Sequence, residues 1–375
     1  MSRVIIFTST LCVLFILPQT GLGRISTLLL IPVFFFVAMF ANKKRFSRIL
    51  KTRHLLGYFC FIALGYVSAF YSLNSAVAIS TSNKAFIVFL FSVSIFAFGL
   101  SYKLFKTFLV VGALIPVILF ILLILEGSGF NDINRMDRFM DPNYFGYYSF
   151  VGLSSLYILK TLEKRRFIQI STYFIIIISF FFAIINASRA TFIITILLVS
   201  LAYMNSLRFN VQYVRRRALT ISIVAVLVFG GIYKGVLWSD DLYLVQRFDS
   251  LENGESPRQF HFRTALAIGV SNPLLGVGAG NYSVVPKRLE LGSFSHNTFS
   301  EIFANFGLLG LLIYYSVQLG VLRGLYRNSR KYKDFSLFYR QLMIVFIVFQ
   351  AYSIFYVVYL DTIFNHLKNK SAIFN

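Results

Sequence analysis

Cysteine and acidic side chains are scarce in this sequence of 375 residues. The two cysteines, Cys12 and Cys60, lie inside apolar runs, which argues against a framework of disulfide bonds. Charged residues make up only 13% of the chain, whereas soluble domains carry about 25%. Segments of about 10 residues with alternating polarity are also missing, so the sequence does not predict a transmembrane β-barrel.

The sequence contains long apolar runs instead of the alternating segments that it lacks. Hydrophobic residues account for 57% of the sequence. They form runs of roughly 17–25 residues, the length that a helix needs to cross about 30 Å of hydrocarbon. Because backbone amides in lipid must be bonded within their own segment, each run predicts a helix. The predicted fold class is all-α, a polytopic integral membrane protein with about 11 (10–12) transmembrane helices.

The spans divide the chain into three segments: helices over 1–235, one large outer loop over 236–296, and helices with a tail over 297–375. We expect a retained first helix, because "PQTGLG" follows it without a small-x-small cleavage site. The spans are predicted near 4–17, 24–41, 54–71, 83–100, 104–126, 142–160, 167–185, 189–205, 218–235, 297–322 and 338–360.

The net charge of +22 could indicate nucleic acid, but the basic residues lie in short clusters between spans. Alternate loops such as "NKKRFSRILKTR" and "RGLYRNSRKYKDFSLFYR" hold most of them, with only Glu163 and Asp334 as acids. Lys and Arg mark cytoplasmic loops, so the opposite loops face outward and no nucleic-acid partner is predicted. The C-terminus then lies outside, unless a re-entrant or split final helix returns it to the cytoplasm.

Two outward-facing positions carry polar residues at the ends of predicted spans. Asn143, in "MDPNYFG", belongs either to an ordinary helix start with proline in its first turn or to a substrate contact. Arg189, in "NASRATF", could extend its side chain to the membrane interface. Because a cation at a helix N-terminus is opposed by the helix dipole, an anionic partner for Arg189 is the favoured alternative.

The long outer loop contains three arginines, Arg247, Arg258 and Arg263. A guanidinium group donates two parallel hydrogen bonds to phosphate oxygens, so a basic loop at the membrane face suits a diphosphate ligand. The alternatives are a solvated surface and attraction to the headgroups of anionic membrane lipids.

The same loop has its own structural signals. In "RQFHFRTALAIGV" the apolar residues Phe262, Leu266 and Val270 recur four apart, which predicts a helix on the membrane surface. The following "GVGAG" lacks the spacing of a nucleotide-binding loop. We interpret it as a tight turn after Asn272-Pro273.

The stretch "SFSHNTFSE" precedes the apolar run of the tenth span. Thr298 and Glu301 fit a capping box, and Asn297 lies four residues before Glu301 on the same helical face. His296 would stand just outside the helix, either as an ordinary interfacial residue or as a base that takes a proton from an attacking hydroxyl. No metal constellation accompanies it, so metal-free chemistry is favoured and no cofactor is predicted.

Four segments, in order, resemble motifs of the O-antigen ligase and polymerase superfamily. Asp141-Pro-Asn143 resembles its helix start, and Ser188-Arg189 its "SR" motif. "VQRFDSLENGESPRQFHFRTALAIGVSNPLLGVGAGNY" and "SHNTFSEIFANFGLLGLLIYY" are similar to its most specific stretches. The departures are Phe262 for a tryptophan, Ser256-Pro257 for Ser-Gly, and Ala279 where proline is common.

The resemblance implies transfer of a glycan from undecaprenyl diphosphate to an acceptor sugar hydroxyl at the periplasmic face of the bacterial inner membrane. His296 matches the catalytic histidine, while Arg189 and Arg258 match the arginines that bind the diphosphate. Arg263 matches less well than Arg258, and Asn143, Asn297, Arg247 and Arg263 are further candidate substrate contacts. The acceptor is either lipid A–core, as for a ligase, or a growing chain, as for a polymerase.

The His-Asn pair in "SHN" favours the ligase type. A flippase or other transporter is a separate alternative, although no internal repeat is evident and the polar residues gather at one face. A non-catalytic assembly scaffold is a third alternative, in which His296 and both arginines would be dispensable.

Overall fold

A computed structural model describes residues 32–33, 35–37, 39–40, 43–98, 102–125, 142–163, 166–185, 195–200, 257–285, 295 and 297–353. All regular secondary structure in those ranges is helical, which confirms the all-α prediction. The α-helices include α1 (Lys43–Leu50), α2 (Arg53–Val67), α3 (Ser75–Phe98), α4 (Tyr102–Leu125), α5 (Pro142–Leu162), α6 (Arg166–Ile185), α7 (Pro257–Ser271), α8 (Thr298–Lys331) and α9 (Ser336–Tyr352). Short 3-10 helices lie at Ser68–Phe70, Asn281–Ser283 and Lys333–Phe335.

Several of these helices are long and apolar enough to cross a bilayer. In the described part of the chain they are Arg53–Phe70, Ser75–Ser94, Thr298–Lys331 and Lys333–Ala351. Shorter apolar helices run over Phe105–Ile121 and Arg166–Ser179. The chain is therefore a multi-pass membrane protein. The predicted spans near 4–17 and 218–235 lie outside the described residues, and the count of about 11 stays a prediction.

α3 begins eight residues before the span that was predicted to start near 83. Its first turns contain Ser75, Ser80 and Thr81, which lower the hydropathy of that segment without preventing helix formation. Asn74 caps the helix, since its Oδ1 accepts the backbone N–H of Val77 at 3.2 Å. A boundary read from hydropathy alone therefore started too late.

The chain forms two compact units. One comprises residues 1–108, 257–324 and 350–375, and the other comprises 109–256 and 325–349. The core of the first unit includes Phe61, Ala78, Ile302, Phe306 and Tyr314. The rings of Phe61 and Phe306 lie 5.0 Å apart at its centre, so α2 and α8 share this core.

Small residues permit close helix packing in the second unit. A side chain at Gly112 of α4 would meet the hydroxyl of Ser155 on α5. A side chain at Gly152 of α5 would likewise meet the ring of Pro116, which lies inside α4. Close backbone approach at small residues is the usual means of packing helices in membranes.

α8 is not the continuous span that was predicted over 297–322, because Gly307 interrupts it. Gly307 has φ 60° and ψ −157°, which no residue of a regular helix adopts. A side chain at Gly307 would clash with the backbone of Leu274. The interruption therefore depends on glycine, which takes positive φ without steric cost.

The loop after α7 forms the hydrogen bonds that α8 loses at this interruption. The N–H groups of Leu308 and Leu309 donate to the carbonyls of Pro273 at 2.7 Å and Leu274 at 3.2 Å. In a regular helix they would donate to Ala304 and Asn305. Those two carbonyls instead accept the N–H groups of Val277 and Gly278, each at 2.9 Å. We call residues 272–283 the docked loop.

Replacing Gly307 with alanine should destabilise the protein. The positive φ alone costs an L-residue about 1–2 kcal/mol, and the new Cβ would push the docked loop away. Gly324→Ala is the matched control, because Gly324 also lies in α8 and has open space around it. Thermal unfolding in detergent should show a lower Tm for G307A and an unchanged or higher one for G324A. Equal Tm values would contradict this account.

Candidate active site

The N-terminus of α8 is capped by Asn297. Its side-chain Oδ1 accepts the N–H of Ser300 at 3.0 Å, and its carbonyl accepts the N–H of Glu301 at 3.0 Å. The predicted capping box with Thr298 as the cap was therefore wrong. Thr298 is the first helical residue, and its N–H donates to the carbonyl of Ser353 at 2.9 Å.

Glu301 has a different role from the one predicted for a capping box. It is 1% exposed, and its Oε2 accepts the backbone N–H of Ser295 at 2.9 Å. A buried carboxylate is tolerated only with hydrogen-bond donors, so this contact ties the chain before α8 to the helix interior. The hydroxyl of Ser295 in turn donates to the carbonyl of Asn297 at 2.9 Å. Both residues that flank His296 are thus held in place.

The docked loop is pinned to the connection between α2 and α3. The side chain of Asn281, which is fully buried, accepts the N–H of Asn74 at 2.7 Å and donates to its carbonyl at 3.1 Å. The N–H of Ala279 donates to the Ser68 hydroxyl at 2.9 Å. Tyr71 donates its phenolic O–H to the carbonyl of Leu275 at 3.0 Å.

The "GVGAG" segment is a tight turn, as predicted. Gly276, Gly278 and Gly280 all have positive φ, of 65°, 98° and 66°. Side chains at these positions would meet Asn305, Ser72 and Thr81 respectively, so protein already fills the space around the turn. The segment is a packing element between helices, which its glycine spacing alone could not indicate.

Tyr282 joins the docked loop to α7 and α8. It is fully buried, and its N–H donates to Oδ1 of Asn305 at 2.8 Å. Its hydroxyl donates to the carbonyl of His261 at 3.1 Å and lies 3.2 Å from Nδ1 of His261. Because the one proton of the hydroxyl goes to the carbonyl, the Tyr282 oxygen can accept from Nδ1 of His261 in the tautomer that carries its proton there.

Burial governs the ionisation of this pair. It lowers the pKa of His261, which favours the neutral imidazole. Burial, followed by the nearby Glu301 carboxylate, raises the pKa of Tyr282, so its phenol stays protonated. Sequence reasoning did not select His261. The sequence feature that could have selected His261 is its position three residues after Arg258 on a predicted helix.

The face of α7 that packs against the rest of the protein is not the apolar face from which the helix was predicted. His261 and Ala265 are buried, and a side chain at Gly269 would meet the ring of Phe303. Val270, from the apolar set used to predict the helix, is 69% exposed. The helix itself is confirmed, and contact of its apolar set with the membrane stays a prediction.

The predicted site residues are only partly covered by the structure. Arg258 is in the first turn of α7, three residues before His261, and Arg263 is exposed on the same helix. Asn143 is in the first turn of α5, which begins at Pro142 as predicted. Arg189, Arg247 and His296 lie outside the described residues.

No group of three or more His, Cys, Asp or Glu side chains that could hold a metal ion occurs within the described ranges. Because His296 lies outside those ranges, metal-free chemistry stays a prediction.

Residues 174–315 match the model of a family described as O-antigen ligase. The matched segment begins in α6, includes α7 and the docked loop, and ends in α8 beyond Gly307. No curated protein matches the chain.

Glu301→Ala should destabilise the protein by about 1–3 kcal/mol, because the Ser295 N–H then loses its partner. Glu301→Gln keeps an oxygen that accepts this hydrogen bond, so its effect should be smaller. Thermal unfolding of both variants in one detergent measures the difference. If glutamine destabilises as much as alanine, the carboxylate does not act through Ser295.

The lowered pKa of His261 predicts acid sensitivity. The unfolded state, with an ordinary pKa of 6.5, binds the proton more readily than the folded state. The stability that neutral, buried His261 contributes is thus present above pH 6.5 and is lost as the pH falls below that value. His261→Asn retains an amide donor for Tyr282 without this titration. The Tm of H261N should fall less than that of the parent protein between about pH 7 and pH 5. Parallel profiles of Tm against pH would contradict the claim that His261 causes the acid sensitivity.

Proposed function

We propose that this chain, which carries a domain of the O-antigen ligase and polymerase superfamily over residues 174–315, is a membrane glycosyltransferase of surface polysaccharide biosynthesis. Its donor is a glycan on undecaprenyl diphosphate, and its acceptor is a sugar hydroxyl at the periplasmic face of the inner membrane. The observation that carries the proposal is the family match, which includes Arg189, Arg258 and His296 in one segment.

The proposed reaction is an inverting displacement at the anomeric carbon of the donor sugar. His296 accepts the proton of the acceptor hydroxyl, whose oxygen forms the new bond to that carbon. The bond from the carbon to the diphosphate oxygen breaks, and its electron pair leaves with undecaprenyl diphosphate. Arg189 and Arg258 stabilise the negative charge of this leaving group, the electrostatic task that metal ions perform in other enzymes.

The packing around α8 supports a preorganised reaction centre. Ser295 is held by Glu301, and Asn297 is held by the first turn of α8, so the chain on either side of His296 is constrained. A base contributes most when its position is set before the substrate arrives. On α7, Arg258 precedes by one turn the His261 that is bonded to Tyr282. The docked loop therefore connects α7, which carries Arg258, to α8, which follows His296.

A transporter is the second candidate, because transporters contain interrupted helices and α8 is interrupted at Gly307. In transporters the freed backbone groups bind substrate or ions. Here the carbonyls of Ala304 and Asn305 and the N–H groups of Leu308 and Leu309 are bonded to the docked loop. These bonds argue for a structural role of the interruption and favour the enzyme.

The activity test is His296→Ala in a strain that lacks the parent gene, with surface polysaccharide separated on a gel. We expect loss of the transferred glycan with unchanged amounts of protein in the membrane. His54→Ala is the matched control, since His54 lies in α2 outside the proposed site, and it should restore the glycan. Full glycan with H296A would exclude His296 as the base.

The same deletion strain separates the subtypes. A bare lipid A–core indicates a lost ligase, which the His-Asn pair favours. A core with a single repeat unit indicates a lost polymerase, whose acceptor is the growing chain. Repeat units trapped at the cytoplasmic face would indicate a transporter instead.

A further inference from the structure

A small cavity lies between α8 and α9 where the two helices are joined. It has a volume of about 290 Å³ and is lined by Tyr326, Ser329, Arg330, Arg340, Met343 and Ile344. Its position is the junction of two candidate membrane spans, Thr298–Lys331 and Lys333–Ala351. The cavity therefore lies where a polar group at the membrane surface can reach it. None of the proposed catalytic residues contributes to it.

The two helices contribute matching faces to this cavity. Tyr326, Ser329 and Arg330 are spaced i, i+3 and i+4 along α8, which places them on one face. Arg340, Met343 and Ile344 have the same spacing along α9. The rings of Tyr332 and Tyr339 lie 6.1 Å apart beside the connection, which holds the two helix ends together. Residues from the ends of both helices thus line the cavity.

Few acidic residues accompany the basic residues in the segment that forms the cavity. The segment from 323 to 340 has Asp334 as its single acid. Its basic residues are Arg323, Arg327, Arg330, Lys331, Lys333 and Arg340. Within the residues that the structure covers, neither Arg330 nor Arg340 forms an ion pair. The guanidinium of Arg330 lies 4.9 Å from the centre of the Tyr326 ring, which orients it without neutralising it.

We propose that this cavity binds the headgroup phosphate of an anionic phospholipid. Two guanidinium groups can donate paired hydrogen bonds to the phosphate oxygens. Met343 and Ile344 supply an apolar wall for the glycerol and the first carbons of the acyl chains. A free phosphate ion would gain nothing from that wall. Basic pockets between membrane helices are known to bind anionic headgroups in this way.

The experiment uses the full-length protein in detergent, depleted of lipid, and follows thermal unfolding during titration with a phospholipid. A ligand that binds the folded state raises the Tm with its concentration. Dioleoylphosphatidylglycerol should raise the Tm, whereas dioleoylphosphatidylcholine with the same acyl chains should not. The double variant R330A/R340A should bind phosphatidylglycerol at least about tenfold more weakly, because it loses the charge-assisted hydrogen bonds.

The matched control is R323A/R327A, which removes the same charge from the same end of α8 outside the cavity. It should bind phosphatidylglycerol within about twofold of the parent protein. Equal weakening in both double variants would overturn the site in favour of general surface charge. An equal Tm rise with inorganic phosphate or phosphatidylcholine would also overturn it.

If R330A/R340A fails to fold without lipid, R330K/R340K replaces it. Lysine keeps the charge but loses the planar donor geometry, so weaker binding is again expected. Unchanged binding in that variant would overturn the proposed recognition by guanidinium groups.

Discussion

The exchange of backbone hydrogen bonds at Gly307 is the contact on which the candidate active site depends. Four N–H groups and four carbonyls would lose their partners if α8 and the docked loop separated. Each unpaired group costs several kcal/mol where water is absent. The glycine that interrupts the helix and the loop that bonds to the interrupted backbone therefore depend on each other.

The docked loop, which these bonds hold to α8, is also attached to two other parts of the chain. Asn281 and Ala279 attach the docked loop to the connection between α2 and α3. Tyr282 attaches it to α7 and, through Asn305, to α8. The helix that carries Arg258 and the helix that follows His296 are consequently parts of one packed core. Distant stretches of sequence meet because a single loop bonds to all of them.

Most helices could be predicted because long apolar runs have one stable backbone arrangement in lipid. The start of α3 was missed because serine and threonine lower hydropathy while still accommodating a helix. The cap of α8 was placed one residue too late, since Asn297 and Thr298 both fit capping patterns. His261 was passed over because a lone histidine in sequence gives no sign of a buried tyrosine 21 residues later.

By itself, the sequence predicted a multi-pass membrane protein made of helices, because long apolar runs without alternating polarity can satisfy their backbone in lipid only as helices. Its motifs also resemble those of the O-antigen ligase family, whose model matches residues 174–315. Only the tertiary structure decided that α8 is interrupted, that the docked loop bonds to the backbone at the interruption, and that Glu301 holds Ser295. The bonds between α8 and the docked loop join residues far apart along the chain, and the bond from Ser295 to Glu301 joins the chain before α8 to the helix interior. No local pattern specifies such partners.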